Sequence, residues 1–373
     1  MNDRAKLRVA VLFGGRSAEH EISLLSARFV ISSLDAERYD VIPVGIDKQG
    51  RWLLQDAALL LEGPSDPRLS KLNVSMPQVL LAPQPGPAGE HLVRVDERGP
   101  LPFDVVFPVL HGPLGEDGSL QGLLELAGVP YVGSGVLGSA VGMDKDVMKR
   151  LLLQAGLPVL PFEAVRHIEW RRAPDAVLQR LLALGLPQFV KPANLGSSVG
   201  VSRVTRREQL EAALLHAFEF DDKVVSECGL SAPREIECAV LGGELPRASI
   251  PGEIRIDHAD GFYSYNAKYI DESGAGLHVP AALTTEQTRA VQALALAVYH
   301  TLEAEGLARV DLFLTADGKL YVNEINTMPG FTAISMFPQL WQASGVSARA
   351  LMDASIDDAL ARATRRHARR TTP

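Results

Sequence analysis

The stretch Arg309–Gly330, RVDLFLTADGKLYVNEINTMPG, sets two apolar, strand-like segments on either side of Asp317-Gly318, a strong two-residue hairpin signal. With those two residues as the loop, Arg309 lies opposite Asn326, Asp311 opposite Glu324, Val310 opposite Ile325 and Leu314 opposite Tyr321. Strand side chains alternate, so Arg309, Asp311, Glu324 and Asn326 project from one face. The other face is a core surface with Asn323 as its one polar exception. Two carboxylates and an amide oxygen are hard oxygen ligands suited to magnesium, and the imidazole and thiolate that zinc favours are missing. Magnesium usually arrives with phosphates, and an arginine beside it can neutralise a transferring phosphoryl group. A surface salt-bridge cluster is the competing account. It leaves Asn326 and the TMPGF turn unexplained.

Upstream, FVKPANLGSSVGV sets Lys191 at a strand end before a loop holding Gly196, Ser197, Ser198 and Gly200. Small residues let backbone N–H groups approach phosphate oxygens, and the lysine adds a point charge. No GK[ST] follows, so this is not a Walker A loop. Beside the magnesium face, it points to a nucleoside triphosphate. The opening GGRSAEHE lacks GxGxxG, which excludes a dinucleotide fingerprint. By itself, Glu19 reads as a favourable acid in a first helical turn, and His111, in PVLHGPLGEDG, as a strand-end histidine with a structural or a site role.

Strand and helix alternate through RVAVLFGG, a helix with Ile22, Leu25, Phe29 and Val30 that Ser17 can cap, YDVIPVGID, FDVVFPVLHG, LQGLLELAG and VPYVGSG. That is an open α/β unit. The proline-rich stretch through LAPQPGPAGE reads as a surface insertion. A smaller α+β unit follows, and from REIECAVLGG hairpins dominate, with one long helix at TEQTRAVQALALAVYHTLEAEG. The 373 residues call for two or three domains, divided here at 1–133, 134–228 and 229–373. A formal charge of −8, from 37 basic and 45 acidic residues, argues against a nucleic-acid binder. Cys228 and Cys238 form no CxxC or Cys/His cluster. No apolar run reaches the ~18 residues of a membrane span, and no signal peptide is legible, so the expectation is a cytoplasmic protein off the membrane. The basic tail ATRRHARRTTP reads as a solvated, frayed end.

These motifs come together in one family. GGRSAEHEISLLSA, LHGPLGEDGSLQGLLELAGVPYVGSGVLGSAVGMDK, KPANLGSSVGV, REIECAVLG, YNAKY and RVDLFLTADGKLYVNEINTMPGFTAISM resemble the D-alanine–D-alanine ligases of the ATP-grasp family, from about Arg8 to about Leu351. The resemblance implies a three-domain ATP-grasp fold with an N-terminal open α/β (pre-ATP-grasp) domain. It implies ATP between the last two domains: adenine near Glu227, ribose near Glu235, and Lys145, Lys191 and Ser198 at the phosphates. SECGLSAPREIE carries one residue more than the family spacing before REIE. Two Mg2+ (or Mn2+) ions would be held by Asp311, Glu324 and Asn326, with Glu324 bridging; K+ is a further candidate cofactor. Arg309 and the backbone near Gly330 would stabilise the acyl phosphate and the tetrahedral intermediate. Glu19 would hold the first D-alanine's amino group, with His111 nearby and Ser335 and Met336 at the second subsite. YSYNAKYIDESGAGLHVPA reads as a lid whose Lys268 and Tyr269 reach the site, Tyr269 bonded to Ser197 and Glu19.

The implied reaction joins two D-alanines through a D-alanyl phosphate, with release of ADP and phosphate, for peptidoglycan precursors. A homodimer is expected from the family. Two rivals stand beside it. A D-alanine–D-lactate or D-serine ligase is disfavoured by Tyr269, and a non-catalytic nucleotide binder by the presence of Asp311, Glu324, Asn326 and Arg309 together.

Overall fold

A computed structural model describes residues 5–64, 66–83, 92–95, 99–256 and 275–370. The first unit runs β1 (Leu7–Gly14), α1 (His20–Ser33), β2 (Tyr39–Ile46), β3 (Trp52–Leu54), α2 (Ala57–Glu62), β4 (Val79–Leu81), β5 (Leu92–Arg94), β6 (Pro100–Leu101), β7 (Val105–Pro108) and α3 (Ser119–Ala127). Its main sheet has the order β3-β2-β1-β7, with β1 parallel to both neighbours. Val9–Phe13 are buried throughout, as a strand covered on both faces requires. The strand expected at VPYVGSG shrinks to a single parallel bridge, Val106–Tyr131, before Gly133 turns left-handed. Ser17 does not cap α1. Its Oγ accepts the Glu19 N–H at 3.1 Å, and Glu19 occupies the cap position. The insertion is not all surface either, because β4, β5 and β6 form a small antiparallel sheet whose Val79 and Leu92 join the core beside Val44 and Phe103.

Two helices, α4 (Val136–Met143) and α5 (Lys145–Gln154), lead to the central unit: β8 (Phe162–Arg166), α6 (His167–Arg172), α7 (Pro174–Leu182), β9 (Gln188–Pro192), β10 (Ser202–Val204), α8 (Leu210–Phe218) and β11 (Lys223–Cys228). The four strands are antiparallel in the order β10-β9-β11-β8. Val165, Val190, Val204 and Val224 pack against Trp170, Leu181 and Leu214 of the helices. Alternation then sends Phe189, Lys191 and Glu227 to the opposite face.

The last unit comprises β12 (Arg234–Leu241), β13 (Arg247–Ala248), β14 (Gly252–Ile256), β15 (Ala275–His278), α9 (Thr285–Thr301), β16 (Leu307–Leu314), β17 (Leu320–Asn326), α10 (Met336–Ala343) and α11 (Ala348–His367). Its sheet runs β15-β14-β12-β16-β17, with β13 on the side of β12. One face buries Ile236, Val310, Leu312 and Val322 against Val291 and Val298 of α9 and Met148 of α5. The basic tail is not frayed where it is described. It closes α11, and Arg366 pairs with Glu125 and, at 2.8 Å, with Glu305. Both cysteines are free thiols.

Candidate active site

The hairpin β16–β17 pairs Arg309 with Asn326, Val310 with Ile325 and Asp311 with Glu324, as its sequence suggests. It reaches that register by a different route. Gly318, at φ 83°, closes a three-residue loop in which the Thr315 N–H donates to Lys319 O at 2.9 Å. Leu314 therefore faces Leu320 rather than Tyr321. A β-bulge between Asp311 and Leu312 absorbs the extra residue, leaving Asn323 unpaired. Expected on the core face, Asn323 instead lines a cavity, where its Oδ1 accepts from Lys191 Nζ at 3.4 Å.

That cavity, of about 530 Å³, lies between the central and last sheets. Phe189, Lys191 and Glu227 line one wall, and Glu235, Asp311, Phe313 and Asn323 the other. Lys145, at the start of α5, reaches in to donate to Leu195 O at 2.8 Å and to pair with Glu324 Oε2 at 3.2 Å. Glu227 is buried and accepts from Lys191 on one oxygen, while Lys149 lies 2.8 Å from the other. Burial alone would raise its pKa, but the two ammonium groups overcome that and hold it at about 2. The glycine loop carries Ser197 and Ser198 at φ 51° and 57°, left-handed conformations that cost non-glycine residues of order 1 kcal/mol each.

A second cavity, of about 570 Å³, shares Ser197, Glu237 and Glu324 with the first and extends toward the first unit. Ser197 Oγ donates to Glu19 across it. His111 is buried, with Nδ1 3.2 Å from Met328 O and Nε2 3.0 Å from Ser26 Oγ. Burial lowers its pKa, so the ring stays neutral, Nδ1–H donating to the carbonyl and Nε2 accepting from the hydroxyl. Gly330 and Ser335 line the same cavity, and a Cβ on Gly330 would lie 3.0 Å from Ser335 Oγ. Met336 is buried at its edge. Arg309 bridges the two cavities' acids: it forks onto Asp311 at 2.7 Å on each nitrogen and pairs with Glu237 at 2.9 Å.

Asn326 Nδ2 donates to Asp311 Oδ2 at 3.0 Å, and Glu324 stands opposite Asp311 in the ladder, so two carboxylates and an amide share this end of the hairpin. Such a set fits magnesium or manganese. Lys268 and Tyr269 lie outside the described residues.

Among the described residues, Asn323, Lys149, Glu237 and Glu116 take part in the site without having been singled out from the sequence as site residues. Lys149 had a signal, because it follows Lys145 by one helical turn. Glu237 had one too, two positions after Glu235 on the same strand face. Glu116 lines the second cavity and accepts the Gly112 N–H at 2.6 Å. Burial first, and Glu19's charge second, push its carboxyl up to about 8.

Two family models match the chain: "D-ala D-ala ligase N-terminus" over residues 8–134 and "D-ala D-ala ligase C-terminus" over residues 151–357. The chain is 50% identical over 369 residues to D-alanine–D-alanine ligase A of Salmonella typhimurium, covering 99% of this chain and 100% of that one. It is 50% identical over 364 residues to the D-alanine–D-alanine ligase of Shouchella clausii, covering 96% of each. Among solved structures, the D-alanine–D-alanine ligase from Coxiella burnetii superposes with a TM-score of 0.84 at 38% identity, covering 98% of this chain and 97% of that one. The VanG D-Ala:D-Ser ligase from Enterococcus faecalis gives 0.82 at 33% identity, covering 95% and 99%.

Proposed function

Since the chain belongs to the D-alanine–D-alanine ligase family, we propose that its two joined cavities are the nucleotide and amino-acid halves of one ligase site. It is an ATP-dependent ligase that makes D-alanyl-D-alanine. The observation carrying the site reading is the hairpin face of Arg309, Asp311, Glu324 and Asn326, which stands where the cavities meet.

In this reading ATP fills the first cavity, with adenine at Glu227, ribose at Glu235, and the phosphates at Lys145, Lys191 and Ser198. A carboxylate is a poor electrophile, so ATP phosphorylates the first D-alanine to an acyl phosphate before the second amine attacks and phosphate leaves. Bound Mg2+ or Mn2+ ions, held by Asp311, Glu324 and Asn326, would offset the charge that gathers on the phosphates. Arg309 and the backbone at Gly330 stabilise the acyl phosphate and the tetrahedral intermediate. Glu19, oriented by Ser197, takes the first ammonium group; Ser335 and Met336 border the second subsite. His111 spends both ring nitrogens on Ser26 and Met328, so its part is to shape the pocket. In this reading the chain divides at 1–133, 134–228 and 229–373. A cytoplasmic homodimer supplying peptidoglycan precursors completes the reading; among the described residues no helix is long and apolar enough to cross a membrane.

The test is ADP release with magnesium-ATP and D-alanine, L-alanine, or D-alanine plus D-lactate, with products separated. Release with D-alanine alone, yielding the dipeptide, is expected. Release only with D-lactate present would overturn the choice of second nucleophile.

A further inference from the structure

The chain leaves the first unit through Tyr131–Gly135, and this crossing is stapled to the turn between α9 and β16. Ser134 Oγ donates to Glu305 O at 3.0 Å and accepts the Glu305 N–H at 3.1 Å. Gly133 and Gly306 are both left-handed, and a Cβ on Gly306 would lie 3.0 Å from the Gly133 backbone nitrogen. Only glycine lets these two backbones approach so closely.

Arg362 of α11 closes the junction. Its side chain is 6% exposed and donates to Tyr131 O at 3.0 Å, Gly133 O at 2.7 Å and Glu305 Oε2 at 3.0 Å. Asp358, one turn earlier, pairs with its Nε at 3.0 Å. One turn later, Arg366 adds a 2.8 Å bond to Glu305 and a 3.3 Å bond to the Tyr131 hydroxyl. A planar guanidinium can serve two carbonyls and a carboxylate together; an ammonium group cannot match that fork.

These contacts lie away from both cavities, yet they bear on the two unequally. The amino-acid cavity takes Glu19, His111 and Glu116 from the first unit and Arg309, Gly330 and Ser335 from the last. Its width depends on how those units are set against each other. Among the described residues, the nucleotide cavity takes no lining residue from the first unit. We infer that Arg362 is a positioning residue for D-alanine, locking the first unit to the last so that the amino-acid cavity keeps its working width. The inference rests on the ligase reading.

The experiment measures dipeptide formation by the full chain with Arg362→Met and Arg362→Lys, varying D-alanine and ATP separately. Arg362→Met is expected to raise the KM for D-alanine roughly tenfold or more, as small misplacements of binding groups do, and to leave the KM for ATP unchanged. Arg362→Lys should fall between it and the parent. An equal rise in both constants, or an unchanged D-alanine KM, overturns the inference. If Arg362→Met yields no folded protein, Arg366→Met, whose side chain is 27% exposed, decides by the same split at smaller size. Failure of the parent chain itself to make dipeptide would bring down the ligase reading instead, and the inference with it.

Discussion

Lys145 and Glu324 meet at 3.2 Å, although one opens a helix and the other sits on a bulged strand of the last sheet. The acid proposed to bridge metal ions is therefore already paired with the lysine proposed for the phosphates. Glu324→Gln is expected to lower kcat by about 10²-fold or more, the usual cost of removing one electrostatic stabiliser. ADP release followed across a magnesium titration checks it. Near-normal turnover would remove Glu324 from the metal set.

Asn323 reaches the cavity proposed for ATP only because of the bulge, and it touches Lys191. A contact at 3.4 Å is at the long end for a hydrogen bond, so its loss should cost less than about 1.5 kcal/mol. Asn323→Ala should raise the KM for ATP by about two- to tenfold and leave that for D-alanine alone. Steady-state kinetics with each substrate varied would expose a role confined to the strand if neither constant moves.

Glu227 and Lys149 form a buried pair at 2.8 Å. Glu227→Gln takes the counter-charge from both Lys149 and Lys191, and breaking such a buried pair typically costs ~3–5 kcal/mol, whereas Glu227→Gln with Lys149→Met, which leaves Lys191 alone, should recover part of it. Urea unfolding of the two variants makes the comparison. The parent should also show an acid slope. A carboxyl held at about 2 stabilises the fold above its unfolded value of ~4.3 and loses that contribution as pH falls from ~5 toward 2. Glu227→Gln should flatten that region.

Glu116 carries the opposite sign. With its carboxyl pushed up to about 8 by burial and by Glu19, the folded state holds a proton that the unfolded chain releases near ~4.3. Its contribution is full below that value and declines as pH rises toward 8. Glu116→Gln should therefore flatten the fall in Tm between about pH 5 and 8. An unchanged Tm profile would place the carboxyl in water.

The hairpin face proposed to hold metal was legible because it is local. Strand alternation acts over nearest neighbours, so Arg309, Asp311, Glu324 and Asn326 fall on one side whatever the rest of the chain does. The same locality explains the one cancellation there: the loop is a residue longer than Asp317-Gly318 suggests, and the bulge at Asn323 returns the register. Turn chemistry does not reveal a bulge, because sheet packing around the strand decides it. The glycine loop and Lys191 were likewise readable from one short span, whereas Lys145 was named only through the family resemblance.

What only the tertiary structure decided is which distant charges meet. Lys149 finds Glu227, and Arg362 finds Glu305 and the Tyr131–Gly135 crossing, each across long stretches of chain. No periodicity encodes such meetings. They follow from how the three sheets pack, and a buried charge is tolerable only where that packing brings it a partner. The sequence by itself determined the chemistry of the hairpin face, and the packing determined which cations and acids surround it.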